Sequence, residues 1–525
     1  MSETHTTSES SGASALNRLQ LVLSVAILGA LIILLLVKVL SMATLFEKPG
    51  ELLNATAPNP YVARRVQQGG EIYGDWRVRP HVLAMYGPAQ YWPVGLIGRW
   101  TGADVQGLYT IGRSISVLAT AGTVVLIVWM VWRGLAVHPV IAVAMGLVFI
   151  TADGILVRFD LAFRADAPGC FLTMLGLALL VRADRRACLY GSVLAFLGAF
   201  LYKQSFVAGP VAAVLWLGLT RRRRDAVTYA VLSLVCLGGA VALLNVVTEG
   251  RYYLNTVKGL AGNTTLASIP MLLHELIQQA AVPVVIAVYV LAIECYRREW
   301  HVVSVLLAVS MILTAASTYR DGSCINYYMP SVAVACVVAG RSMGRWWQER
   351  STAPAGATAL TFVLVLAAVW YVPEAGLRIC QLPTRWETFT ERHEQFDRRA
   401  KFFRDLADYL NGLDGPVLCQ FSDLGLHCPR SIMIDTSTFS GMADVGAFDD
   451  RPLIEEIRRG QVAAIVINPR AAPVYQSTEM VSRRWRKAMT GRYRLVRVPG
   501  LEWAHIYRPV TQQRPKSTDL LGPPL

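Results

Sequence analysis

Two Arg-x-Asp units lie in the segment VRFDLAFRADAPG (Val157–Gly169), between long apolar runs. They are Arg158/Asp160 and Arg164/Asp166. Ionisable side chains next to apolar segments are costly, so they face an aqueous cavity, pair with one another or bind a charged ligand. Ion pairs that only fix a re-entrant loop are an alternative. We favour a combination, in which one pair holds the loop while Arg164 and Asp166 face a cavity.

Three further polar segments interrupt the apolar sequence: YKQS (Tyr202–Ser205), YRDGSCINYY (Tyr319–Tyr328) and GGEIYGDWRVRPHVLAMYGPAQYW (Gly69–Trp92). The last contains aromatic residues around a proline, which is typical of an interfacial helix with its rings at headgroup level. All of these segments fall on one face of the membrane in the topology that the loop charges predict, and they could converge on one pocket.

The composition restricts the class of protein. The chain has 525 residues, of which 54% are hydrophobic and 16% charged, with a mean hydropathy of +0.41. Soluble domains have roughly 25% charged residues. The sequence therefore predicts a polytopic α-helical membrane protein. We place about eleven transmembrane helices near residues 19–40, 108–132, 137–153, 167–182, 187–203, 205–220, 226–248, 276–296, 301–316, 327–340 and 356–372.

The charges of the short loops predict the orientation. Basic residues concentrate on one side, as in Arg221–Arg224, which is typical of cytoplasmic loops. The first apolar stretch is too long for a secretory signal, so we expect a retained helix. The result is a cytoplasmic tail (1–18) and a transmembrane domain (19–372) in the plasma (inner) membrane, with a large first outer loop (43–107). The net charge of +14 is then mainly a topology signal and requires no nucleic acid.

Residues 373–510 are predicted to form an extracytoplasmic α/β domain, followed by a disordered tail over 511–525. PVLCQF, SIMIDT and AAIVIN are typical of strands, and DLADYLNGL and RPLIEEIRRG of helices. Cys419 and Cys428 flank a predicted turn and could form a disulfide in an oxidising compartment. The chain has no motif with metal-ligand or nucleotide-binding spacing, so we predict no metal site and assign no cofactor.

The order of these motifs resembles the GT-C glycosyltransferases, in particular the bacterial relatives of protein mannosyltransferases and aminoarabinose transferases. The matching elements are an Arg-rich helix and GGEIYGD in a long first outer loop, then MYGPAQYW, GRSISVL, RADAPG, LYKQS, GSCINYY and a C-terminal outer domain. The resemblance covers roughly Tyr61–Met329. It implies a GT-C-like membrane enzyme that moves a sugar from a polyprenyl-phosphate donor to a lipid, glycan or protein acceptor on the extracytoplasmic face.

Such a reaction requires cations at the membrane interface, because the polyprenyl tail stays in lipid while charge develops on the phosphate. Lys203, Arg164 and Arg320 are the candidates, and Gln204 follows Lys203 as a further donor. An alternative for Lys203 is that it merely extends from a helix end towards the interface.

Other residues of the motifs are assigned to substrate by the resemblance. MYGPAQYW borders the donor in the family, which implicates Tyr86 and Tyr91. Asn326 and Tyr327 match the family's Gly-Ser/Ala…Asn-Tyr pattern, in which the tyrosine can reach the substrate. A helix cap and an interfacial aromatic belt would explain the same two residues.

Several carboxylates are candidates for the catalytic base. Inverting sugar transfer needs a carboxylate that takes the proton from the acceptor hydroxyl, and the family has one shortly before its Arg-rich helix. Here Asn59 occupies that neighbourhood. The candidates that remain are Asp75, then Glu51, then Asp166, each also explicable as a structural residue.

Two other functions remain open. A transporter or flippase would explain many spans and buried charges, but it predicts internal repeats that the sequence does not display. A catalytically silent relative that binds polyprenyl-linked sugars is compatible with the absence of the early carboxylate.

Overall fold

The computed structural model describes residues 6–52, 58–152, 159–260, 266, 268–318, 323–350, 354–468, 482–510 and 520–524. Up to residue 411 the described chain is mainly helical. Its α-helices are α1 (Thr6–Phe46), α2 (Pro58–Gln67), α3 (Pro88–Thr101), α4 (Val105–Trp129), α5 (Pro139–Ile150), α6 (Asp166–Val181), α7 (Arg186–Tyr202), α8 (Ala208–Leu219), α9 (Arg223–Val247), α10 (Arg251–Thr256), α11 (Ser268–Arg297), α12 (Val302–Ser317), α13 (Met329–Glu349), α14 (Pro354–Cys380), α15 (Leu382–Thr390) and α16 (Arg392–Asn411).

Five helical segments of the described chain are long and apolar enough to cross a membrane. They are Ala15–Phe46, Val105–Gly134, Arg223–Val247, Ile269–Arg297 and Ala355–Cys380. Five shorter apolar helices, α5, α6, α7, α8 and α12, have 10–17 residues each. The chain is therefore a multi-pass membrane protein, as its sequence predicts. Each predicted span overlaps a helix, and the total of eleven crossings stays a prediction.

Helices α6 and α7 are antiparallel neighbours joined by a short turn at residues 182–185. Phe196 of α7 fills the space beside two glycines: a Cβ on Gly176 of α6 or on Gly209 of α8 would lie 2.4 or 2.2 Å from its ring. Small residues at such positions allow helices in a membrane to approach closely. Because the hairpin is antiparallel, the start of α6 and the end of α7 lie at the same level.

A mixed five-stranded sheet follows α16. The strands are β1 (Val417–Cys419), β2 (Ala464–Ile467), β3 (Tyr493–Arg497), β4 (His505–Pro509) and β5 (Leu520–Pro524). Their order is β1-β2-β4-β3-β5, with β1 and β2 parallel and the other pairs antiparallel. The helices among them are α17 (Ser422–Gly425), α18 (Thr436–Asp444), α19 (Arg451–Arg458) and α20 (Arg483–Met489).

The structure agrees with most of the predicted C-terminal elements. PVLCQF contains β1, AAIVIN contains β2, and α19 is followed by Gly460 at φ 68°, as RPLIEEIRRG predicts. SIMIDT does not form a regular strand. It makes only isolated bridges, Val417 with Ser431 and His81 with Met433, because one of its neighbours is a loop from the first part of the chain.

Two further predictions for the C-terminal part differ from the structure. Residues 520–524, predicted as part of a disordered tail, pair with β3 at the edge of the sheet, where unpaired backbone groups are free to accept another strand. Cys419 and Cys428 are free and buried thiols, so the disulfide that the sequence left open is absent.

The C-terminal part shares a core with the first loop of the chain. Trp76 and Leu83 are buried in one apolar cluster with Leu418, Met433 and Phe439. The predicted domain 373–510 therefore does not enclose this core by itself, and the loop before α3 completes it.

Candidate functional site

The RADAPG motif (Arg164–Gly169) begins at the end of a loop, residues 159–165, that is buried almost throughout. Side chains of neighbouring helices satisfy its backbone carbonyls. Asn59 of α2 donates to the carbonyl of Phe163 (2.6 Å), and Ser116 of α4 donates to that of Ala162 (2.7 Å). A buried loop is tolerated when its polar backbone groups are paired in this way. These contacts fix the path of the chain just before α6.

An ion pair anchors the same loop to α1. Lys38 Nζ lies 2.9 Å from Asp160 Oδ2, and both side chains are buried. Arg158, the partner of Asp160 that the Arg-x-Asp pattern predicts, lies outside the described residues. Lys38 was overlooked, although a lysine inside the apolar run LLLVKVL is the kind of intramembrane charge that marks a specific partner.

Asp166, the first residue of α6, joins two cations. Lys203 Nζ donates to its Oδ1 (2.8 Å) and Arg164 Nε donates to its Oδ2 (3.0 Å). The exposed fractions of the three side chains are 2% for Asp166, 9% for Lys203 and 16% for Arg164. Lys203 reaches Asp166 because it directly follows α7, at the level where α6 begins. We call these three residues the Arg164–Asp166–Lys203 cluster.

Two tyrosines cover this cluster. The ammonium of Lys203 lies 3.9 Å from the ring centre of Tyr327 and 6.0 Å from that of Tyr86. The guanidinium of Arg164 lies 5.9 Å from the same Tyr86 ring. Aromatic faces stabilise cations at such distances. The structure thus brings together five of the predicted site residues from four separate motifs.

Tyr86 is held in place by two further tyrosines. Its backbone N–H donates to the hydroxyl of Tyr91 (3.2 Å), and its carbonyl accepts from the hydroxyl of Tyr73 (2.9 Å). Tyr91 is fully buried, and its hydroxyl holds the backbone of Tyr86 in place. Gly87 brings this loop against α7, because its N–H donates to the carbonyl of Tyr202 and a Cβ would lie 1.9 Å from the Leu201 carbonyl oxygen.

Asn326, the residue before Tyr327, is a further polar residue to consider. Asn326 is 2% exposed, and neither atom of its amide has a hydrogen-bond partner among the described residues. Buried amides are normally satisfied, so this side chain can accept and donate to a ligand. Gln204 is half-buried and approaches the Tyr252 hydroxyl. Arg320 lies outside the described residues.

Asp75 lies on the first loop and does not contact the cluster residues through any hydrogen bond or ion pair of the described residues. Both of its oxygens accept from the Arg77 side chain (2.8 and 2.7 Å), and these hydrogen bonds lower the pKa of the carboxyl group. Asp75 borders a cavity of about 280 Å³ together with Arg251 and Lys258. It is therefore an ionised and accessible carboxylate.

Glu51 occupies a third place, where the first loop meets the C-terminal part. Its backbone N–H donates to Asp423 Oδ2 (2.8 Å), and Asp423 Oδ1 accepts from the hydroxyl of Tyr109 (2.6 Å). The three predicted carboxylates thus lie in three different environments. Among the described residues, no group of three or more His, Cys, Asp or Glu side chains could hold a metal ion.

Comparison with solved structures reveals a common fold over most of the chain. ArnT from Cupriavidus metallidurans in the apo state matches with a TM-score of 0.52 and 13% identity, over 83% of this chain and 92% of that one. The same protein bound to undecaprenyl phosphate matches with a TM-score of 0.51 and the same identity and coverage. Neither a family model nor a curated protein matches the sequence.

A solved archaeal structure is also similar to this chain in fold. The Archaeoglobus fulgidus oligosaccharyltransferase, in a complex with zinc and sulfate, matches with a TM-score of 0.51 and 11% identity. The match covers 93% of this chain and 75% of the archaeal one. At these identities the likeness concerns the fold.

Proposed function

We propose that this chain, which has the fold of the GT-C membrane glycosyltransferases, is itself a membrane glycosyltransferase that uses a polyprenyl-phosphate sugar donor. The acceptor would be a lipid, a glycan or a protein on the extracytoplasmic face of the plasma membrane. The observation that carries the proposal is the buried Arg164–Asp166–Lys203 cluster beneath Tyr86 and Tyr327.

The charge of the cluster supports a phosphate ligand. Two cations share one carboxylate, so one positive charge remains in excess in a largely buried place. Electrostatic attraction is stronger there than in water. As the sugar leaves, negative charge grows on the donor phosphate, and cations already in position stabilise it without reorganisation. Arg164 is the most exposed member of the cluster and would make the first contact.

The neighbouring side chains suit the sugar. The amide of Asn326 has free donors and acceptors for hydroxyl groups, and Tyr327 presents its ring next to the cations. Tyr86 offers a second aromatic surface, which Tyr91 and Tyr73 hold in place. We assign Tyr86, Asn326 and Tyr327 to the donor, with Gln204 as an additional donor of hydrogen bonds.

We assign the base to Asp75, on the ground of access. Asp166 is buried and both of its oxygens are engaged, and Glu51 lies at the contact with Asp423. Asp75 borders an open cavity that an acceptor hydroxyl could enter. Its ion pair with Arg77 keeps it ionised, as a base must be, although the lowered pKa reduces its basicity.

The test uses the full chain in nanodiscs with a panel of radiolabelled polyprenyl-phosphate sugars, and measures donor binding and sugar release. Lys203→Ala should weaken binding of the active donor roughly tenfold or more, since it removes a charge-assisted contact worth about 1.5–3 kcal/mol. Asp75→Asn should retain binding and lose turnover. Lys401→Ala, an exposed lysine on α16, controls for loss of charge.

Each variant tests a separate part of the proposal. Equal donor affinity in wild type and Lys203→Ala would contradict the phosphate site. Normal turnover in Asp75→Asn would transfer the role of base to Glu51 or Asp166, which Glu51→Gln and Asp166→Asn then examine. A wild-type chain that binds no donor at all would contradict the transferase assignment and favour transport.

A second function, a silent sugar-binding relative, is favoured by Asn59. Its amide donates to the Phe163 carbonyl and is 2% exposed, so the position where the family has its acid serves here to hold the loop. This alternative predicts donor binding that depends on Lys203 and no sugar release with any acceptor fraction. Release that depends on Asp75 excludes it.

A further inference from the structure

A second polar cavity, of about 590 Å³, opens at the far end of α2. It is bordered by the ends of α2 and α3, by the beginning of α4 and by one residue of the C-terminal part. The residues that matter for its chemistry are Arg64, Gln68, Arg99, Asp104 and His427. Ligand sites in proteins commonly have volumes of roughly 300–1,000 Å³.

Two arginines dominate the charge of this cavity. Arg64 and Arg99 are exposed, and neither forms an ion pair with a carboxylate of the described residues. Asp104 is the acidic residue at the cavity, and its Oδ1 accepts from the N–H of Gly107 (2.7 Å) as the cap of α4. Burial lowers the pKa of His427, so it faces the cavity as a neutral imidazole at neutral pH. The cavity therefore carries an excess of positive charge.

The walls of the cavity are fixed. Gln67 Nε2 donates to the carbonyls of Gly98 (3.1 Å) and Ala103 (2.7 Å), which ties α2 to the end of α3. Gln68 is exposed at the same rim. The two guanidinium groups thus project from a rigid frame of three helices, which favours recognition of a planar or tetrahedral oxyanion.

The cavity opens beside the start of an apolar segment and close to exposed tryptophans. It is bordered by Val105, the first residue of a segment that is long and apolar enough to cross the membrane. Trp100, adjacent to Arg99, is 80% exposed, and Trp92 on the same helix is 58% exposed. Exposed tryptophans are typical of the membrane–water interface. A phosphate bound there belongs either to a lipid headgroup or to the aqueous phase.

The cavity is separate from the Arg164–Asp166–Lys203 cluster. Arg64 follows Asn59, which contacts the loop before Arg164, by more than one turn of α2, a rise of about 7.5 Å along the helix axis. No residue borders the cavity and also belongs to the cluster.

We propose that this cavity is a second anion site, in which Arg64 and Arg99 bind a phosphate group and the C-terminal part contributes one wall through His427. The site goes beyond the proposed donor site, and its existence does not depend on sugar transfer. The C-terminal part would then contact a ligand through His427, in addition to sharing a core with the first loop.

The experiment titrates the full chain in detergent with dioctanoyl phosphatidic acid, dioctanoyl phosphatidylcholine and inorganic phosphate, and follows the fluorescence of the tryptophans. Phosphatidic acid should bind wild type more tightly than phosphatidylcholine, because choline offsets the phosphate charge. The double variant Arg64→Gln/Arg99→Gln should weaken this binding at least about tenfold. Both arginines are exposed, and unchanged thermal unfolding of the variant checks that it folds.

Two controls separate this site from the donor site. Arg185→Gln/Arg186→Gln removes two exposed charges, one from the turn after α6 and one from the first residue of α7, and should change the affinity less than about twofold. Lys203→Ala should leave phosphatidic acid bound at the second site, and the double variant should retain binding of the polyprenyl-phosphate donor.

The outcomes are distinct. Loss of lipid binding in the double variant, with weak binding of inorganic phosphate, supports a lipid headgroup as the source of the phosphate. Comparable binding of inorganic phosphate, lost in the same variant, supports a soluble phosphate at the same site. Affinity for phosphatidic acid that is unchanged in the double variant, or lost only in Lys203→Ala, overturns the proposal without affecting the donor site.

Discussion

Asp166 accepts hydrogen bonds from Lys203 and Arg164 on its two oxygens, and these bonds limit its ability to accept a proton. A carboxylate between two cations is stabilised in its ionised form and is a poor proton acceptor. Its position at the first turn of α6, where the helix dipole favours negative charge, acts in the same direction. Asp166 therefore aligns the two cations and offsets their mutual repulsion.

The buried ion pair of Lys38 and Asp160 should contribute to the stability of the fold. Lys38→Met should lower the free energy of unfolding by about 3–5 kcal/mol, because it removes a cation that contacts the buried Asp160 carboxylate. The measurement is chemical unfolding of the purified chain in detergent, followed by circular dichroism.

The double variant Lys38→Met/Asp160→Asn tests the cause. It removes both charges and should recover more than half of the lost stability, since the cost lies in an uncompensated charge. Additive destabilisation in the double variant would show that each side chain acts through packing instead of through the ion pair.

Among the elements, the loop before α3 is placed against the end of α7 by Gly87. Gly87→Ala should displace this loop, because the new Cβ would lie 1.9 Å from the Leu201 carbonyl oxygen, which is backbone and cannot rotate away. Tyr86 and the residues after α7 would move apart, so donor binding should weaken by about tenfold or more and the unfolding temperature should fall. Donor titration and thermal unfolding measure the two effects.

Gly218→Ala on α8 is the matched control. A Cβ at Gly218 has no heavy atom within 4 Å, so this change should leave donor binding unaltered and raise helix stability slightly. Equal effects of the two substitutions would mean that Gly87 is not needed for close approach.

The sequence predicts the helices better than the strands, and the difference has a physical cause. Long apolar runs indicated the helices, and charges next to those runs pointed to Arg164, Asp166 and Lys203. Strands β3 and β4 are not apparent in the sequence, because YRLVR and HIYRP are short and their arginines interrupt any regular alternation of apolar and polar residues. The partnership of Lys38 with Asp160 depends on which helices are neighbours, and a single sequence does not contain that information.

At the scale of the molecule, the C-terminal part and the first loop form one structural unit. His81 lies between Phe439 and Phe448, with ring centres 5.6 and 5.0 Å away, and its Nδ1 is 2.9 Å from the Trp76 carbonyl oxygen. The same loop then continues to Tyr86 and Gly87 at the cluster. Loss of the contact at His81 would therefore reach the donor site through the loop, although no residue of the C-terminal part belongs to the cluster.

This contact should weaken in acid. Burial is the main cause that lowers the pKa of His81, so the unfolded state, with a pKa of about 6.5, binds the proton more readily than the folded state. The contribution of His81 to stability is then complete above the unfolded pKa and is lost as the pH falls from there towards the folded pKa. We expect the unfolding temperature to fall between about pH 7.5 and pH 5.5, with a parallel loss of donor binding.

The variant His81→Asn isolates this effect, because its amide can still donate to the Trp76 carbonyl but does not titrate. Its unfolding temperature should depend less on pH than that of wild type, and the difference between the two profiles cancels the other titrating groups, His427 among them. His393→Asn, at an exposed position of α16, should keep the wild-type profile. Coinciding profiles for wild type and His81→Asn would show that protonation of His81 does not control the contact, and the link from the C-terminal part to the donor site would then have to run through Asp423 and Tyr109.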